Sequence, residues 1–258
     1  MPIVLLSDFG LQDSYVGAMK GVLARLAPYV PVIDLGHQVP PFDIIQGGLM
    51  LYQAYPVFPR KSIFVAVVDP GVGGPRRAIL VETDDYFFLA PDNGLLSMAL
   101  AEQKIRRIVH LTNEKYFLKP LSATFHGRDL FSPVAAHLAQ GLSPEFFGPE
   151  LTDYERLAVF VPGFSADAIR GQVLSIDRFG NAITNLSCSF LKRHRPQGPW
   201  RVEIAGRRFE KILDYYAEAA AGEVFPLFGS SRLLEISANQ ASAAASLGLQ
   251  RGQEVLVR

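Results

Sequence analysis

Through residue 141, short apolar runs alternate with stretches in which apolar side chains recur every three or four positions. "IVLLS" (3–7), "VPVIDL" (30–35) and "SIFVAVV" (62–68) predict strands. The third is apolar throughout, as a strand covered on both faces must be. "SYVGAMKGVLARLA" (14–27) and "DIIQGGLMLYQAY" (43–55) predict amphipathic helices between them. "RAILVE" (77–82) and "YFFLA" (86–90) predict a hairpin through "TDD". Next come a helix over 94–101, a strand at "RRIVHL", and a helix over 127–141 closed by Gly141. Strand and helix in alternation predict an α/β layer with a mostly parallel sheet.

After about residue 160 the pattern changes. "QVLSIDRFGNAITNL", "RVEIAG", "RRFEKIL", "RLLEIS" and "EVLVR" are short strands between turns, and only "NQASAAASLG" reads as helical. The expected organisation is an N-terminal α/β domain over 1–162 and a C-terminal small β-barrel domain over 163–258.

Composition narrows the classes. Of the 258 residues, 49% are hydrophobic and 19% charged, so a packed core is expected and disorder is not. The 25 basic and 25 acidic residues cancel, which leaves no field to gather nucleic acid or an anionic membrane. "KRHR" (192–195) reads as a solvated turn. The single cysteine, Cys188, permits no internal disulfide and reads as a small buried hydrophobe. "MPIVLLSDFG" lacks the basic segment and long apolar run of a secretory leader. No run approaches the ~18 apolar residues of a membrane span. A cytoplasmic protein is expected.

Ligands of open α/β sheets bind beyond the carboxyl ends of the strands. Two of the strands end there in aspartate: Asp8 in "VLLSDFG" and Asp69 in "VAVVDPGVGG". Each alone reads as a turn former, but two at one sheet edge point to a site. Pro70 and the glycines turn the chain so that Arg76 returns toward Asp69, and such pairing keeps a carboxylate ionised and fixed. No Gly-Lys-Ser/Thr follows the turn, and no G-x-G-x-x-G opens a helix after the first strand, so neither nucleotide-phosphate loop is present. In "SATFHGRDLF" (122–131), His126 stands at a helix start beside Gly127, Arg128 and Asp129. Asp92 and Asn93 in "LAPDNGLL" read as caps. Asp177 and Asn181 flank Phe179-Gly180 in "IDRFGNAITN", which suits either a nucleoside or an ordinary β-turn.

Six ordered motifs then carry a resemblance: "SDFG…D-YVG…KG", "VVDPGVG…RR", "APDNGLL", "TFHGRDLF-P-AAHLA", "D-FGNAITN" and "GSS-LLEI—NQ-SA". From Ser7 to about Leu247 the chain resembles the S-adenosyl-L-methionine hydroxide adenosyltransferases, water-using relatives of fluorinase and chlorinase. The resemblance implies an N-terminal α/β domain, a C-terminal β-barrel, and a homotrimer whose sites lie between subunits. It implies the reaction of S-adenosylmethionine with water to give adenosine and L-methionine, with no cofactor. It puts the catalytic set on Asp69, Arg76 and His126, and the ribose-contacting acid on Asp8. Substrate contacts fall on Asn181, Tyr216, Ser230, Glu235 and Ala238, with Asp177 nearby. Arg232 departs from the family pattern, which has Gly there.

The chemistry is consistent. A sulfonium leaves as a neutral thioether, so neither a general acid nor a metal is required. Water, with a pKa of about 15.7, must be held and relieved of its proton. Arg cannot be the base; His126 or Asp69 remains. By the same resemblance, halogenating relatives lack the carboxylate at Asp69, which would repel a halide, and fluorinase carries a long insertion that "RAILVETDDYFFLAPDNG" lacks. Gly127 leaves room for a small group. Phe9 reads as core; Phe42 reads as either core or pocket. Two other readings compete. One is a metal-dependent phosphohydrolase using Asp8, Asp69, His126 and Asp129. The other is a non-catalytic adenosine or S-adenosylmethionine sensor.

Overall fold

The computed structural model describes residues 1–165, 167–196 and 198–258. It divides into two compact units, Met1–Leu157 and Ala158–Arg258. The change of pattern in the sequence lies a few residues later, at 162/163. Val159 goes with the second unit because its carbonyl accepts hydrogen bonds from Gln172 Nε2 (3.3 Å) and Asn185 Nδ2 (2.9 Å).

In the first unit, β1 (Ile3–Ser7), α1 (Tyr15–Leu26), β2 (Val32–Gly36), α2 (Ile44–Ala54) and β3 (Ile63–Val67) follow the expected alternation. Then come β4 (Ala78–Thr83), β5 (Phe87–Pro91), α3 (Ser97–Leu100), β6 (Ile105–His110), α4 (Ser132–Ala139) and β7 (Glu150–Leu151). The sheet order is β2-β1-β3-β5-β4-β6-β7. It is parallel through β2, β1, β3 and β5, and antiparallel beyond. Every residue of β1 and β3 is buried, so both faces are covered, as parallel strands require. Helix α1 supplies part of that cover with Val16, Met19, Val22 and Leu23 on one stripe. Asp43 caps α2 by accepting the Gln46 N–H.

Two helices are shorter than the pattern predicts. Over 94–101 only Ser97–Leu100 is α-helical, because Gly94 takes φ +90° and the Asn93 side chain accepts the Leu95 N–H instead. Over 127–141, a π-turn (Gly127–Phe131) precedes α4. Pro133, at the start of α4, has no N–H to donate backward, so a continuous α ladder cannot pass through it.

The second unit contains β8 (Gly163–Phe164), β9 (Ile169–Ile176), β10 (Ala182–Ser187), α5 (Cys188–His194), β11 (Val202–Ile204) and β12 (Arg207–Phe209). It ends with β13 (Val224–Phe228), β14 (Leu233–Ala238), α6 (Ala243–Leu247) and β15 (Glu254–Val257). Its sheet is antiparallel and nearly closed, in the order β12-β11-β15-β9-β10-β14-β13, with β8 beside β9. Helix α5 corrects the expectation of a turn at "KRHR". Ser187 accepts the Phe190 N–H as N-cap, Leu191 is buried, and Lys192, Arg193 and His194 lie in the last turn, where cations oppose the helix dipole.

Candidate active site

Asp8 and Asp69 leave the same edge of the first unit's sheet. Ser7, at the end of β1, lies opposite Val67, at the end of β3, and each carboxylate follows within two residues. After Asp69 the backbone turns at once: the Val72 N–H reaches the Asp69 carbonyl and the Gly74 N–H reaches that of Gly71. Gly73 has φ +76°, and a Cβ there would overlap the Ala123 carbonyl oxygen. The glycines therefore serve two purposes. They tighten the turn, and they let it lie against the loop that carries His126.

Arg76 returns from that turn to Asp69. Its Nε lies 3.0 Å from each carboxylate oxygen, and its Nη2 also contacts Oδ2. The same Nη2 is 2.8 Å from His126 Nδ1. The guanidinium lies over the Phe131 ring at 5.9 Å, and the Asp69 side chain is only 4% exposed. Burial, and then the charge of Arg76, depress the His126 pKa below its ordinary value, outweighing Asp69 and Asp129. A guanidinium has only protons to give. His126 Nδ1 is therefore the acceptor, and the neutral ring carries its proton on Nε2.

The π-turn after His126 is anchored on Asp129, which is fully buried. Asp129 takes two hydrogen bonds from Arg128 and one from the Ser122 N–H. Burial pushes its carboxyl up, but these bonds hold it below the usual range. Asp129 is thus committed to the loop. Among the described residues, no group of three or more His, Cys, Asp or Glu side chains is placed to hold a metal ion.

Asp8 accepts the Phe42 N–H at 2.8 Å. That residue is 69% exposed at φ +67°, so Phe42 is not core. Phe9 packs against the first unit's core, with Tyr15 and Phe125 rings 5.7 and 5.8 Å away. The room expected at Gly127 is not free. A Cβ there would lie 3.2 Å from both Phe9 and Met19 Sδ, tighter than ordinary contact. Arg77 takes no part; it binds Asp92 and Asp153, each at 2.7 Å.

In the second unit, Asp177 accepts the N–H groups of Phe179 and Asn181 and the Asn181 Nδ2–H, all at 2.9 Å. This is the β-turn alternative, and it also presents a buried Asn181 to a cleft of about 530 Å³. Asn181, Tyr216 and Ala238 line that cleft with Phe179, Asn239, Gln240 and Ala241. Tyr216 stands on a short 3-10 turn and is 41% exposed. Glu235, on β14 opposite Ile183 and Leu227, is buried. Burial, and then the charge of Asp177, push its pKa up to about 7, against the pull of a Tyr216 hydrogen bond. Gly229 admits the Glu235 carboxyl where any Cβ would overlap it. Ser230 lies exposed on the β13–β14 turn, outside the residues lining the cleft. Arg232, where glycine was expected, holds φ +60°. Phe179 was legible in the sequence with Asp177 and Asn181; sequence reasoning missed Asn239, Gln240 and Ala241, which stand next to Ala238 in "SANQAS".

These features define a class: an α/β unit with an Asp–Arg–His chain at its carboxyl edge, followed by a β-barrel-like unit with an Asn- and aromatic-lined cleft. Residues 3–148 match the SAM hydroxide adenosyltransferase N-terminal domain, and residues 171–256 the C-terminal domain. The chain belongs to that family. It is 41% identical to the (R)-S-adenosyl-L-methionine hydrolase of Thermus thermophilus, with 98% of each chain covered. It is 40% identical to the protein of the same name from Salinispora tropica, covering 97% of this chain and 95% of that one. A solved structure from Thermotoga maritima, described as an uncharacterized conserved protein, superimposes with a TM-score of 0.89 at 35% identity and 99% coverage of both chains.

Proposed function

We propose that this protein hydrolyses (R)-S-adenosyl-L-methionine to adenosine and L-methionine. The observation that carries the reading is the hydrogen-bonded chain Asp69–Arg76–His126. Similarity to hydrolases named for the R sulfonium supports the choice of substrate.

Water is held between the Asp69 carboxylate, which accepts, and His126 Nε2–H, which donates. Asp69 is the only member of the chain able to take a proton while His126 keeps the tautomer that Arg76 requires. The water oxygen forms a bond to ribose C5′ as the C5′–S bond breaks, and methionine leaves with the electron pair as a neutral thioether. The proton passes to Asp69 and then to solvent. Fixing the water in line contributes much of the rate. The carboxylate that serves water opposes a halide anion.

Asp8 contacts the ribose hydroxyls; Asp177, Asn181, Tyr216, Ser230, Glu235 and Ala238 contact the remainder of the substrate. A homotrimer in which neighbouring subunits complete each site is part of the same proposal. So are a reaction without metal or cofactor and a cytoplasmic location. The single cysteine agrees with that location. Among the described residues no helix is long and apolar enough to cross a membrane.

The test is to incubate the purified chain with each sulfonium epimer, in halide-free buffer with chelator, and quantify adenosine and methionine. Equimolar products from the R epimer support the proposal. Saturable binding without turnover would replace it with the sensor reading, and activity lost with chelator would replace it with the metal-dependent one.

A further inference from the structure

Ser7, Asp34 and His37 form a chain that the proposed chemistry does not use, although Ser7 directly precedes Asp8. The His37 ring is buried, and both its nitrogens are engaged. Nδ1 lies 2.7 Å from Ser7 Oγ, and Nε2 lies 3.1 Å from Asp34 Oδ1. Lys20 Nζ reaches the other Asp34 oxygen at 2.5 Å. Burial pushes the Asp34 carboxyl up, but Lys20 and His37 outweigh it and hold the group below its usual range. An ionised carboxylate only accepts, so His37 Nε2 donates its proton to Asp34, and Nδ1 shares a hydrogen bond with the Ser7 hydroxyl.

Two further bonds tie this chain to the turn after β1. Ser7 Oγ accepts the Phe9 N–H at 3.3 Å, and the His37 carbonyl accepts the Gly10 N–H at 2.7 Å. Asp8 is thus bracketed: His37 holds the backbone that bears it through Ser7 on one side and Gly10 on the other, beside the β1–β3 pairing of Ser7 and the Phe42 N–H bond to the carboxylate itself. Ser7 is fully buried, so its hydroxyl is no nucleophile.

We propose that His37 is a positioning residue for Asp8: through Ser7 and Gly10 it sets the direction in which the Asp8 carboxylate faces the ribose hydroxyls. This rests on the reading of Asp8 as the ribose contact.

The test is calorimetric binding of adenosine, and of 2′,3′-dideoxyadenosine, which lacks both hydroxyls, to the full chain. Asp8→Asn, Ser7→Ala and His37→Gln are compared, alone and with Asp8→Asn. Asp8→Asn weakens adenosine by roughly tenfold and leaves the dideoxy probe unchanged, as loss of a hydrogen bond to a charged group does. Ser7→Ala and His37→Gln weaken adenosine alone by roughly fivefold and add nothing on top of Asp8→Asn. If His37→Gln does not fold, Ser7→Ala, which removes one oxygen, decides. Should Asp8→Asn leave the ratio of the two affinities unmoved, the ribose reading falls. Should it move the ratio while Ser7→Ala and His37→Gln do not, or should those two weaken both nucleosides equally, the positioning role alone is overturned.

Discussion

Arg76 Nη2 lies 2.8 Å from His126 Nδ1, and because a guanidinium can only donate, that contact fixes the tautomer of the imidazole. The proton stands on Nε2, and Asp69 receives Arg76 from the other side. One arginine therefore assigns both neighbours: the histidine is a donor and the aspartate the acceptor.

The assignment has a pH signature. Protonating His126 would put an N–H against Arg76, and burial and the Arg76 charge already hold its pKa below 6.5. With Glu235, which titrates near 7, replaced by Gln, kcat/KM is therefore expected to be constant at neutral pH and to fall only below pH 6.5, as His126 protonates. The same sign applies to stability: with the folded pKa below the unfolded one, this group's contribution is present above 6.5 and is lost as pH falls. A pH–rate profile checks this, and an inflection above 6.5 that survives in Glu235→Gln would contradict it.

Asp69→Asn keeps the shape of the side chain but removes the proton acceptor. Turnover is expected to drop by roughly 10²–10⁴-fold, with adenosine affinity little changed. Arg76→Lys replaces a planar fork, whose Nε and Nη2 reach the carboxylate and the ring from separate positions, with a single point charge, so it is expected to lose much of the activity despite keeping the charge. Steady-state kinetics with calorimetry separates the two effects, and Asp69→Asn retaining near-full kcat would transfer the base role to His126.

Gly73 links the Asp69 turn to the His126 loop. At φ +76°, with the Ala123 carbonyl where a Cβ would stand, Gly73→Ala must open the turn or move the loop. The expected cost is roughly 1–3 kcal/mol of stability. A fall in kcat should accompany it, because Ala123 and His126 share one loop. Thermal melts and turnover measured together check this; a stable, fully active variant would show that the close approach is dispensable.

Some of this was legible in the sequence for identifiable reasons. All-apolar β3 announces a strand covered on both faces, and an aspartate at its end followed by glycines announces a turn at a sheet edge. Asp69, Arg76 and His126 were accessible because the turn is local and the histidine opens a helix. The hydrogen-bond direction among them was not, since it depends on a 50-residue separation closing to 2.8 Å. His37 was invisible as a functional candidate: a single histidine in "DLGHQVP" shows neither of its partners, 30 and 3 residues away. Helix α5 was missed because its seven residues give too short a window for periodicity, although Ser187 was there to cap it. The environment of Glu235 needs three strands and the Asp177 turn assembled around it, which no local pattern records.

That environment gives the last prediction. The Glu235 carboxyl titrates near 7 in the folded protein, against an ordinary value of 4.5, because it is buried and then because Asp177 is charged. The folded pKa lies above the unfolded one, so the folded state holds the proton more tightly. Its stabilising contribution is complete below pH 4.5 and is lost as pH rises through about 7. The difference across that window is up to about 3 kcal/mol. Trp200, the single tryptophan, packs in the second unit's core and reports that unit's unfolding. Urea titrations followed by its fluorescence should show the second unit losing stability from pH 5 to 8. Glu235→Gln, neutral throughout, should flatten that loss. Asp177→Asn should move it to lower pH by removing the neighbouring charge, at a separate cost in the 177–181 turn, which the Asp177 carboxylate organises. Parallel wild-type and Glu235→Gln curves would mean that Glu235 is already ionised at neutral pH.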